Sequence, residues 1–242
     1  MQGTHAMKAK RILMAALGWV SATVGFAADP VTDAINSAYV PYRAALFRTN
    51  SQAQAEAEGA ISQASLAWQA LISKYAKAPP PPYDRDRRFG QTLAEVAAIY
   101  QTASTEIRGQ KLTAAHEILE KARDLMSDLR RRNNVVVYSD HMNAYHAAME
   151  QLLDEGPKVM GQPQAFLLLM ERVGALAFLT ERLRSEASVD AASDPSFVAA
   201  LKQVEQSLAR LREAILSQDA ASVLAAMGKI KGPYSLLFLK FG

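Results

Sequence analysis

Phe89-Gly90-Gln91-Thr92-Leu93-Ala94-Glu95-Val96 and, 108 positions later, Phe197-Val198-Ala199-Ala200-Leu201-Lys202-Gln203-Val204 share one pattern: Phe-x3-Leu-x2-Val. Steps of four and three return to the same side of a 3.6-residue helix, whereas a half-buried strand requires strict alternation. The match continues without a gap, Ile107, Gln110, Lys121 and Leu129 falling on Ile215, Gln218, Lys229 and Leu237. A shift of 58 lays Ile35, Ala38, Tyr42, Gln52, Ala64 and Leu71 on Leu93, Val96, Tyr100, Gln110, Ala122 and Leu129. The repeated unit is an αα-hairpin of roughly 45 residues, since each half carries one apolar face and a break separates them.

Elsewhere in the chain no segment alternates for long, and Ala, Leu, Glu, Gln and Arg dominate. Helix starts are marked by proline in Asp29-Pro30, Gln162-Pro163 and Asp194-Pro195, because the first turn needs no N–H from it. Ser139-Asp140 marks another start, after Asn133-Asn134, a left-handed stop. Helices are expected at 31–48, 52–77, 89–108, 111–131, 139–153, 163–186, 196–216 and 219–240. The expected fold is all-α: four hairpins (31–77, 89–131, 139–186, 196–240) in an elongated helical bundle or two fused four-helix bundles. The Pro-rich linker 78–88 should cross the length of a bundle as a stiff polyproline spacer. Helix 163–186 places apolar groups all around its axis over 166–170 and 173–179, interrupted by Glu171 and Arg172 as a structural ion pair, and is expected to be central and buried. Gly232-Pro233 should kink or restart the last helix.

Composition bounds the function. Hydrophobic residues make up 50%, charged residues 21% and aromatic residues 7%, the range of a globular domain and not of a disordered or fibrous chain. Lys8, Lys10 and Arg11 are the only charges before Asp29, and beyond them 24 basic residues face 24 acidic ones. A neutral body lacks the footprint for a phosphate backbone, so nucleic acid is not an expected partner. Lys8–Arg11, the uncharged stretch 12–27 and Gly25-Phe26-Ala27 have the pattern of an export signal, with cleavage expected before Ala28. The body 28–242 is then expected to be periplasmic, with no stable membrane span after cleavage. With no cysteine, disulfides, thiolate metal sites and cysteine nucleophiles are absent. GxSxG, HExxH, the P-loop and GxGxxG are also missing, so the protein is not expected to be an enzyme.

The densest chemistry lies in Tyr138-Ser139-Asp140-His141-Met142-Asn143-Ala144-Tyr145-His146-Ala147-Ala148-Met149. On a helix, Met142, His146 and Met149 fall within about 60° of one another, while His141 turns to the flank with Tyr138 and Tyr145. Thioether and imidazole donors suit copper, above all Cu(I). Met142, His146, Met149 and His141 are therefore the candidate metal residues, with Met126, Met170 or Glu171 as a further donor from another helix. Methionine and histidine also ligate haem iron in helical bundles, so iron or haem is the alternative cofactor. His116, one turn from Glu120, reads as a surface pair. The competing function is a non-catalytic interaction module, since stacked hairpins often present a surface to a periplasmic protein partner.

Overall fold

A computed structural model describes residues 29–242; the expected signal segment 1–27 and its cleavage point lie outside the described residues. The described chain is helical, with no strand: α1 (Pro30–Asn50), α2 (Gln54–Tyr75), α3 (Phe89–Arg108), α4 (Leu112–Arg132), α5 (Tyr138–Val159), α6 (Ala165–Ser185), α7 (Val189–Ser193), α8 (Pro195–Leu216), α9 (Ala220–Met227) and α10 (Lys231–Phe241).

The starts follow from the chain chemistry. Asp29 accepts the Thr32 amide at 3.0 Å and Asp194 that of Ser196 at 2.7 Å, each ahead of a proline at the first helical position. The stops are more regular than the sequence suggested. Gln52, Gln110, Asn134 and Gln218 all have left-handed backbone, at φ of 56°, 60°, 55° and 55°. Gln110 N–H donates to Ile107 and Lys111 N–H to Glu106, the two bonds of a Schellman closure; Gln52–Ala53 and Asn134–Val135 repeat it. The three glutamines are those that the 58- and 108-residue shifts bring into register, so the hairpins share a turn as well as an apolar face.

Two rings of helices result. In the first, α1 packs on α2 and α4, α2 on α3, and α3 on α4. In the second, α5 packs on α6, α6 on α8, α8 on α9 and α10, and both of these return to α5. Gly156 permits the last approach: a Cβ there would come within 2.2 Å of the Met227 methyl. The rings join where α10 lies against α1, and a single hydrophobic core runs through both. Polar contacts secure the join. The Arg43 guanidinium on α1 donates to the carbonyls of Phe238 and Gly242. Fully buried Arg130 at the end of α4 holds Asp140 on α5, Nε to Oδ2 at 3.0 Å. Asp140 in turn accepts from the Ser127 hydroxyl and the Val137 amide.

Four expectations need correction. The 78–88 linker is not a crossover: the Ala76 carbonyl at the end of α2 lies 3.0 Å from where a Gly90 Cβ would sit, so the prolines turn the chain at one end. Tyr83 anchors that turn, its ring buried on Phe89 and its hydroxyl 2.7 Å from Thr32 Oγ1. The last hairpin arm breaks at Gly228–Ile230, and Gly232-Pro233 falls in the first turn of the restarted α10. α5 extends to Val159 through Pro157, beyond the expected end at 153. Finally, α6 is not central: Ala165, Leu169, Val173, Leu176, Thr180 and Leu183 are buried on one side, and Leu167 and Phe178 stand exposed on the other.

Candidate functional site

α5 turns its apolar stripe inward as the spacing requires: Met142, Tyr145, Met149 and Leu152 are fully buried. Met142 and Met149 thus pack in the core. His146 lies at the edge of the stripe, its side chain 13% exposed and its ring 5.5 Å from that of Tyr234. His141 diverges as expected and approaches Glu186, Nε2 to Oε2 at 3.9 Å. The four sequence candidates therefore separate into two core thioethers and two imidazoles with different neighbours.

The partner of His146 comes from α4. His146 Nε2 lies 3.4 Å from Glu120 Oε1, and His116 Nε2 lies 3.7 Å from the same oxygen. Arg123 Nη1 also reaches it, at 3.5 Å. None of Met126, Met170 and Glu171 takes this place. The His116–Glu120 pair was legible as an i, i+4 spacing, but that spacing does not say that α5 covers the pair.

Tyrosines brace the surrounding backbone. Tyr42 donates to the Leu119 carbonyl at 2.9 Å and Tyr234 to the Met142 carbonyl at 3.0 Å. A cavity of about 30 Å³ opens between α1, α4, α5 and α10. Leu46, Phe47, Tyr234 and Phe238 provide its apolar wall, and His116, His146, Arg123 and Lys231 its polar one.

Electrostatics sets the charge on Glu120 and His116. The His146 ring holds the Glu120 carboxyl down to about 2; burial pushes the other way, and Arg123 adds to the depression. Burial lowers the His116 pKa, so its ring is neutral at pH 7. His116 Nδ1 lies 3.0 Å from the Leu46 carbonyl, which can only accept, so the proton sits on Nδ1. Nε2 then directs a lone pair at a carboxylate oxygen. Two acceptors facing each other at 3.7 Å attract a cation between them.

Among the described residues, no three His, Asp or Glu side chains form a ready-made metal cluster, and no helix is long and apolar enough to cross a membrane. Comparisons with protein-family models, curated proteins and solved structures give no match.

Proposed function

We propose that the protein is a periplasmic metal-binding helical protein that binds or delivers copper, with His116, Glu120 and His146 as its donors. The observation carrying this reading is the approach of two imidazole nitrogens, from separate helices, to one carboxylate oxygen beside a small cavity. Bonds of about 2.1 Å from one ion to donors 3.4 and 3.7 Å apart subtend about 108° and 124°, inside the range of a distorted tetrahedron. The Leu46 carbonyl on His116 Nδ1 is the outer-shell contact that orients a ligating imidazole. Because the three groups are not a finished cluster, an ion would draw the two rings inward and displace Arg123 from Glu120.

An N,N,O donor set is harder than the Met/His stripe, which moves the preference from cuprous to cupric copper, with zinc the nearest competitor. His146 remains a ligand in this reading; Met142 and Met149 serve the packing behind it, and His141 stands apart. A cavity of about 30 Å³ suits an ion with its water and is too small for a porphyrin, which disfavours haem at this position. The Lys8–Arg11 and 12–27 pattern supports export. The non-catalytic interaction module is a second reading, favoured by the uncovered apolar face of α6.

Titration with Cu(II), followed by calorimetry and electron paramagnetic resonance, tests the proposal. One equivalent should bind with nitrogen hyperfine structure, and His116→Ala, Glu120→Gln and His146→Ala should each weaken binding at least tenfold. Loss of binding in Met142→Leu with Met149→Leu, and not in these three, would return the site to the thioether stripe. Absence of stoichiometric binding would end the metal reading.

A further inference from the structure

α6 is apolar around its axis, yet the fold covers one side of it. On the other side Leu167 is 66% and Phe178 64% exposed, with Gly174 and Ala175 open to solvent between them. At 100° per residue, Leu167, Glu171, Gly174 and Phe178 fall within about 60°, a single outward stripe. Nothing lies within 4 Å of a Cβ built at Gly174, so the stripe has a shallow gap beside the Phe178 ring. Its charges are unevenly matched. Arg172 pairs with Glu155, Arg182 with Glu186, and Arg184 with Glu181 and Glu205, while Glu171 lies outside these pairs.

We infer that a second copy of this chain covers the stripe, with the two α6 helices antiparallel about a two-fold axis near residues 176–177. In that register Glu171 of each copy stands opposite Arg182 of the other, and each Phe178 ring enters the gap at Gly174 and Ala175. The surface is self-complementary in charge and shape, as an isologous contact must be. A parallel pairing would set Glu171 against Glu171. Residues 29–242 carry 24 basic and 24 acidic side chains, so no net repulsion holds two copies apart. One helix pair buries less than the roughly 1,200 Å² of a standard interface, so the dimer should dissociate in about the micromolar range. Its existence does not depend on the histidine site.

Sedimentation equilibrium of the protein between about 1 and 200 µM should show a monomer–dimer equilibrium. Phe178→Asp and Glu171→Arg should each shift it at least tenfold toward monomer with unchanged helical circular dichroism. Glu171→Arg combined with Arg182→Glu should restore the dimer. The absence of cysteine permits an independent check. Single Glu171→Cys and Arg182→Cys variants, mixed and oxidised, should form a mixed disulfide dimer, while neither does so alone. The two positions are about 16 Å apart along one helix, beyond the Cα separation a disulfide spans, so only a register that exchanges them gives this result. A monomer throughout the concentration range, or a cross-link in Glu171→Cys alone, would overturn the inference.

Discussion

His146 on α5 reaches Glu120 on α4, Nε2 to Oε1 at 3.4 Å, and thereby carries a titratable group of one helical ring onto a carboxylate of the other. Glu120 already receives Arg123 and His116 from its own helix. The contact therefore assembles the site from both rings.

Arg123 competes with any cation for Glu120. Arg123→Gln should free the carboxylate and strengthen Cu(II) binding by about three- to tenfold, the reverse of the change in Glu120→Gln. Competition against a chelator of known affinity measures it, and weaker binding in Arg123→Gln would show that the guanidinium organises the site.

Acid should destabilise the protein in two windows. His116 has a folded pKa below its ordinary 6.5, so the unfolded state takes up the proton first, and stability is lost as pH falls from about 6.5 through the lowered value. Glu120 has its pKa depressed from 4.5 to about 2, so its contribution is complete above 4.5 and disappears as pH falls through about 2. With Glu120 a third exposed, screening reduces that contribution to on the order of 1 kcal/mol. Urea unfolding from pH 7 to 2 should show both losses, with the upper one absent in His116→Gln.

Breaking the Arg130–Asp140 pair should be costly. Arg130 is fully buried and its Nη1 already lacks a partner, so removing Asp140 strands a buried cation. Asp140→Ala should cost about 3–5 kcal/mol, including the loss of its bond to the Val137 amide. Thermal unfolding checks this.

The left-handed glutamines offer a gain. Gln110→Gly and Gln218→Gly should each stabilise by about 0.5–1 kcal/mol, since glycine has no Cβ to strain at positive φ. Gln110→Val should destabilise, because a branched side chain is poorly tolerated there. Melting temperatures of the three variants give the answer.

Much of the fold was legible because local chemistry and burial agree. Asp29-Pro30 and Asp194-Pro195 signal starts whatever the surroundings, and Met142, Tyr145 and Met149 return to one side of any helix. The elongated bundle and the two fused rings were indistinguishable by periodicity, which marks a buried face without naming its neighbour. For the same reason the sequence places Leu167 and Phe178 in the core, since composition does not reveal that α6 is covered on one side alone. At the site, His146 was found from its segment, but Glu120 and His116 were not joined to it, because the meeting of α4 with α5 is tertiary. The two repeats differ at that point: under the 108-residue shift Glu120 corresponds to Gly228 and His116 to Leu224. Where α4 runs on through Glu120, its counterpart breaks between α9 and α10.

The packing of α10 against α1 brings the last helix of the described chain onto the first. Most other helix neighbours are close in sequence, so the hairpins can close early and locally, and this contact must span almost the whole chain. Tyr234 and Phe238, which wall the cavity beside His116 and His146, arrive with it. A fluctuation that frees α10 from α1, α5 and α8 therefore opens the site to solvent and breaks the second ring, while the first ring keeps its own helix contacts.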